Sequence, residues 1–136
     1  MIEVNLDDYK NFVDKVTSEP SKDFDVFSER LEELQDNDQN VEMSRLITAV
    51  MGMSAEAGEF EEIVKKMLFQ GKPLDEDNVY HMKRELGDVI WYWMQACMAL
   101  DVSPNEIISM NIEKLEARYP GGFEAFLSEN RKDGDI

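Results

Sequence analysis

Glu56-Ala57-Gly58-Glu59, answered further along by Glu85-Leu86-Gly87-Asp88, decides how this chain folds. Each is an acid-x-x-acid pair. Three residues on an α-helix is nearly one turn, so each pair points its two carboxylates the same way. Two such helices packed antiparallel would bring all four acids to one spot. At roughly 7 Å and an effective dielectric near 20, each like pair would cost about 2 kcal/mol, and all six about 14 kcal/mol. That is comparable with the whole stability of an ordinary domain. The acids must be partly protonated, spread apart or neutralised by a divalent cation, and of the three we expect the cation.

Acid pairs at this spacing also arise by chance in a chain with 30 acidic residues among 136. Glu29/Glu32, Glu33/Asp36, Glu59/Glu62 and Glu113/Glu116 are further examples, and most such pairs are solvated faces. Two features set the chosen pairs apart. Each encloses or abuts a helix-interior glycine, Gly58 or Gly87, which costs about 1 kcal/mol against alanine and so needs a reason. Each also lies beside apolar sequence, and Asp88 runs straight into Val89-Ile90-Trp91-Tyr92-Trp93-Met94.

Outward from these pairs, the periodicity predicts one long helix from Val41 to Phe69. Met43, Leu46, Ile47, Val50, Met53, Ala57, Phe60, Val64 and Met67 form its core stripe, and Glu56 and Glu59 ride at the margin with Gly52 and Ile63. Gln70-Gly71-Lys72-Pro73 is a glycine-then-proline stop. Asp75-Glu76-Asp77 puts negative charge at the start of the next helix, Asn78 to Leu100, where it complements the helix dipole. The core stripe there is Val79, Met82, Leu86, Val89, Ile90, Trp93, Cys97 and Leu100, and the far half is apolar almost all round. In a protein of this size that implies burial by another subunit or a ligand pocket.

Upstream, Tyr9, Phe12, Val13 and Val16 recur at helical spacing before a break at Thr17-Ser18-Glu19-Pro20-Ser21. A second helix is expected from Phe24 to Gln35, followed by the polar turn Asp36-Asn37-Asp38-Gln39-Asn40. Downstream, Ser103-Pro104-Asn105-Glu106 reads as a capping box with proline at the first helical position, opening a helix to Arg118. Asn111, Lys114 and Arg118 share one face of it, a plausible grip for phosphates in so acidic a chain. Tyr119-Pro120-Gly121-Gly122-Phe123 stops that helix, and Gly134-Asp135-Ile136 reads as a loose tail. The expected fold is all-α: a bundle of four or five helices with two long antiparallel ones at its centre. We expect one domain over 1–136, with a motif core over about 41–120, N-terminal helices over 1–40 and a short tail over 121–136.

A net charge of −16 argues against nucleic-acid backbones and anionic membranes as partners, though not against a small anion that arrives with its own metal. The one cysteine, Cys97, permits no internal disulfide and fits a reducing cytoplasm, where we read it as a buried structural thiol. The chain opens without the pattern of a secretion signal. Its longest apolar run, Val89 to Leu100, is too short to span a bilayer. The lone histidine, His81, speaks against a di-iron carboxylate bundle and is assigned a surface or capping role.

Glu56-x-x-Glu59, Glu85-Leu86-Gly87-Asp88 and Asn111-x-x-Lys114-Leu115-x-x-Arg118-Tyr119-Pro120 together resemble the MazG-like group of all-α nucleoside triphosphate pyrophosphohydrolases. That superfamily also holds dimeric dUTPases and phosphoribosyl-ATP pyrophosphohydrolases. The family motif often opens on a doubled acid, where this chain has Ala55. The resemblance implies hydrolysis between the α- and β-phosphates of a nucleoside triphosphate, giving a monophosphate and pyrophosphate. It implies Mg²⁺, with Mn²⁺ as a substitute, held by Glu56, Glu59, Glu85 and Asp88. Such a hard cation suits an all-carboxylate site. Glu59 is the residue we assign to take the proton from water.

The same resemblance gives the outgoing phosphates to Lys114 and Arg118, with Lys66 beside them, and the sugar or base to Tyr92, Asn111 and Trp91. It also implies a homodimer or a dimer-of-dimers homotetramer, which would cover the apolar half of the second long helix. A deoxynucleoside triphosphate is the expected substrate, with the base left open because a few tertiary hydrogen bonds decide it. The alternatives are an enzyme of the same superfamily acting on dUTP, a phosphoribosyl nucleotide or an alarmone, and a non-enzymatic acidic helical module that binds a basic partner.

Overall fold

Apolar residues at helical spacing along most of this chain leave little room for strands. The computed structural model describes residues 4–36 and 38–130, and all regular structure among them is helical apart from an isolated bridge between Pro120 and Gly122. Asn37, in the expected polar turn, and the expected tail at Gly134-Asp135-Ile136 lie outside the described residues. The chain forms two compact units, one up to Met43 and one from Ser44 onward.

The first unit holds α1 (Leu6–Val16), a 3₁₀ turn at Glu19–Ser21 and α2 (Phe24–Gln35). Both helices start on a side chain that accepts otherwise unpartnered amide N–H groups. Asn5 accepts from Asp7 and Asp8, and Asp23 accepts from Asp25 and Val26. Beyond α2, the Gln35 side-chain oxygen accepts the Met43 N–H at 2.9 Å, and its NH₂ donates to the Val41 carbonyl at 3.4 Å. The long helix therefore starts at Met43, two residues after the expected Val41.

The second unit is built on α3 (Met43–Gln70) and α4 (Glu76–Ala99), followed by α5 (Pro104–Arg118) and a short α6 (Ala125–Glu129) that the periodicity does not announce. Contacts between α3 and α4 run in opposite directions along the two. Near the start of α3 the Arg45 guanidinium donates to the Gln95 side-chain oxygen at 2.7 Å. Further along, Gly52 faces the Tyr92 ring, and then Glu56 and Glu59 meet Glu85. The two are the expected long antiparallel pair.

Their junction is a loop whose Gly71 has φ +70, a conformation glycine takes without strain. Asp75 caps α4 by accepting the Asn78 N–H at 2.9 Å, so the helix starts at Glu76, ahead of the expected Asn78. At its far end α4 closes with the left-handed Asp101 (φ +51), whose N–H reaches Met98 while that of Val102 reaches Cys97. Ser103 does precede α5 in extended conformation with Pro104 at the first position, but its hydroxyl makes no capping hydrogen bond, so the expected capping box is not formed.

Apart from Asn78, the buried positions of this unit are small. Ala49 and Gly52 on α3 and Cys97 and Ala99 on α4 are inside, and no large side chain among the described residues is fully buried. The expected core stripe is thus only partly inside: Val50 is 56% exposed, Leu86 50% and Ile90 59%. Small residues at the contact bring the helix axes close, and the larger apolar side chains fall to either side. An apolar groove remains between α3, α4 and α5, lined by Met53, Val89, Ile90, Trp93, Ile107, Ile108 and Asn111.

Candidate metal centre

Glu56 and Glu59 lie in the middle of α3, and Glu85 in the middle of α4, where regular hydrogen bonding fixes each backbone. One carboxylate oxygen from each lies within 4.8 Å of the other two. Glu56 and Glu85 are half-buried and Glu59 is exposed. Octahedral Mg²⁺ at about 2.1 Å from its ligands spans about 4.2 Å between opposite oxygens, so this spread is close to that of a coordinating set. The donors are all hard oxygens, as such a cation prefers.

The crowding leaves an electrostatic mark. Loss of solvent around Glu56, then the charges of Glu59, Asp88 and Glu85, and finally a hydrogen bond with Glu85, raise its pKa above the ordinary carboxylate value. A cation among these oxygens would offset the same crowding of negative charge. Asp88, the fourth expected ligand, is exposed and acts on Glu56 through its charge, outside the group of three.

From the cluster a cleft of about 220 Å³ leads toward the α3–α4 loop. It is lined by Glu59, Glu62, Ile63 and Lys66 from α3, by Asn78, His81 and Glu85 from α4, and by Lys72 from the loop. Lys66 sits 3.1 Å from Glu62, whose pKa is lowered chiefly by that hydrogen bond and charge and then by Lys65. His81, given a surface role above, is exposed, lies 3.6 Å from Asp77 and packs against the Tyr80 ring.

The other expected site residues are placed elsewhere in the unit. Tyr92 is half-buried where the helices cross at Gly52, with the Trp91 ring edge-on at 4.7 Å. Asn111 lines the apolar groove. Lys114 is exposed on α5, and the Arg118 guanidinium lies 5.9 Å over the Tyr119 ring. None of Trp91, Tyr92, Asn111, Lys114 and Arg118 lines the cleft that holds Glu59 and Glu85.

Sequence reasoning missed Lys72 and Asn78 in that cleft, and it assigned the wrong glycines. Beyond the helix's own neighbouring backbone, a Cβ at Gly58 or Gly87 would meet nothing within 4 Å, whereas at Gly52 it would run into the Tyr92 ring. Among the helical glycines of the described residues, close helix contact requires a glycine at Gly52 alone. Its signal was present: Gly52 shares the stripe of Glu56, Glu59 and Ile63.

Two long antiparallel helices that bring Glu56, Glu59 and Glu85 together define an all-α fold with a carboxylate cluster between its long helices. The chain belongs to the MazG family: residues 45–123 match the MazG nucleotide pyrophosphohydrolase domain, which covers α3, α4, α5 and the turn after them. The chain is also 35% identical over 82 residues to Gene 37 protein of Mycobacterium phage L5, across 60% of this chain and 72% of that protein. No solved structure matches it. Among the described residues no helix is long and apolar enough to cross a membrane.

Proposed function

We propose that this chain hydrolyses deoxynucleoside triphosphates between the α- and β-phosphates, releasing a nucleoside monophosphate and pyrophosphate. The observation that carries the reading is the meeting of Glu56, Glu59 and Glu85 within 4.8 Å, with Asp88 close enough to raise the pKa of Glu56. These four acids would hold Mg²⁺, or Mn²⁺ in its place. When bound, such a cation compensates the charge of the polyphosphate and helps to activate water for in-line attack on phosphorus. Water adds to the α-phosphorus, the bridge to the β-phosphate breaks, and the water's proton passes to Glu59. Glu59 suits that task because it is the exposed member of the cluster and borders two cavities.

Lys66 lines the cleft and would meet the phosphates. Lys114 and Arg118 would join it, and Trp91, Tyr92 and Asn111 would meet the sugar or base, at the end of the site nearer the apolar groove. The exposed Ile90, Trp91, Met94 and Met98 of α4 support a homodimer or dimer of dimers. The test is a panel of standard and modified nucleoside triphosphates, with dUTP, phosphoribosyl nucleotides and alarmones added, assayed for pyrophosphate and monophosphate with Mg²⁺ and with EDTA. Metal-dependent pyrophosphate release from deoxynucleotides is the expected result. Metal binding without turnover across the whole panel would refute the reading and favour a non-enzymatic acidic module.

A further inference from the structure

The surroundings of the carboxylate cluster differ in its two directions along the α3–α4 pair. Toward Gly52 and Tyr92 they turn aromatic and then apolar, ending in the groove lined by Met53, Ile90 and Trp93. Toward the connecting loop they gather Lys66 and Lys72, with the Asn78 and His81 side chains as further polar groups. A nucleoside triphosphate has the same asymmetry, with an uncharged nucleoside at one end and dense negative charge at the other. Its α-phosphate at the cluster and its tail toward the loop is the one orientation that matches both ends.

We infer that Lys72, on the α3–α4 loop, completes with Lys66 a subsite for the two phosphates that leave as pyrophosphate. The inference rests on the pyrophosphohydrolase reading above. What distinguishes Lys72 from an ordinary surface lysine is the way its backbone is held. Gly71, at φ +70, turns the chain back so that the Lys72 N–H donates to the Lys66 carbonyl at 3.2 Å. On the other side Pro73 has a fixed φ, and its carbonyl accepts from the Asn78 side chain at 2.8 Å. Asn78 is only 9% exposed, and its own N–H is held by Asp75 at 2.9 Å. The loop is thus tied to both long helices, and it delivers Lys72 to the same cleft as Glu59 and Glu85. A backbone fixed in advance leaves only the side chain to be ordered when the lysine closes on a phosphate.

The competing account is that these lysines only neutralise Glu62, which lies 3.1 Å from Lys66 and 3.9 Å from Lys65. Lys65 separates the two accounts, because it pairs with the same carboxylate yet does not line the cleft. The probe is inorganic pyrophosphate with Mg²⁺, titrated calorimetrically into the full chain. Lys72→Ala should weaken its binding about tenfold, the worth of one charge-assisted contact, and Lys72→Arg should restore most of it. Lys65→Ala should bind like wild type. Inhibition of turnover by added pyrophosphate should weaken in parallel in Lys72→Ala.

Undiminished pyrophosphate binding by Lys72→Ala would overturn the assignment, as would an equal loss in Lys65→Ala or no pyrophosphate binding by wild type. If wild type hydrolyses triphosphates and Lys72→Ala binds pyrophosphate normally, only this inference falls. If Lys72-dependent binding is found but no nucleotide is cleaved, the subsite stands as an anion site and the reaction assigned to the chain falls.

Discussion

Gly52→Ala and Gly58→Ala are the same chemical change at two positions on α3, and they should move stability in opposite directions. At either position alanine gains about 1 kcal/mol of helix propensity over glycine. Around Gly58, beyond the helix's own neighbouring backbone, nothing lies within 4 Å of the added methyl, so that gain stands, and Gly87→Ala should behave alike. At Gly52 the methyl meets Cδ1, Cε1 and Cζ of Tyr92 together. That ring has little room to turn, because Trp91 stands edge-on to it at 4.7 Å, so the helices must move apart. Overpacking of this kind costs typically 1–3 kcal/mol, and a collision with three ring atoms belongs near about 3. Net of propensity, Gly52→Ala should lose about 2 kcal/mol, which puts it about 3 kcal/mol below Gly58→Ala. Urea unfolding followed by helical circular dichroism measures both. With Tyr92→Ala as background, Gly52→Ala should become neutral or stabilising, since the ring it strikes is gone. Equal midpoints for Gly52→Ala and Gly58→Ala would refute the close contact.

Glu56 sets a pH dependence of definite sign. Its pKa is raised in the folded chain, so its contribution to stability is full below the ordinary value of 4.5 and is lost as pH rises through the folded value. In EDTA, Glu56→Gln should therefore gain on wild type as pH climbs above 4.5, and a gap that shrank instead would show the sign to be wrong. Glu62, whose pKa is lowered, acts in a separate window, losing its contribution only as pH falls below 4.5. Asp88→Ala should abolish Mg²⁺-dependent turnover while leaving the metal-free fold as stable as wild type or slightly more so. A variant that unfolds in metal-free buffer would contradict this. Arg118→Ala should raise KM or lower kcat for triphosphates with metal affinity unchanged, and a matching loss of metal affinity would make Arg118 structural.

Much of this was legible in the sequence because it is local. The second helix begins and ends where its apolar spacing and flanking acids place it, Phe24–Gln35. The acid-x-x-acid spacing sufficed to bring Glu56, Glu59 and Glu85 together, since helix geometry fixes the direction of each pair and an antiparallel partner does the rest. What was not legible depends on tertiary contact. The start of α3 is set by Gln35, eight residues before it, which no helix-start pattern includes. The buried face is chosen by where small residues allow close approach, so Ala49 and Gly52 are inside and Val50 is not. Lys72 enters the cleft through a turn and an anchored proline. Read as a stop signal, Gln70-Gly71-Lys72-Pro73 gives no hint that its one cation has anywhere to go.

All three acids of the cluster sit in helix interiors, far from either end of α3 or α4. Peptide groups there are already bonded along the helix and have no N–H to offer a ligand. A phosphate brought to the cluster meets side chains and whatever those side chains hold. Such a site is tuned by exchange and broken by shift. Any one of its side chains can be replaced while the others stay in phase. One residue inserted between Glu56 and Glu59 would swing a carboxylate about 100° around the helix and out of the group. The chain can vary what it recognises in many small steps, but its reading frame of acids admits no slippage at all.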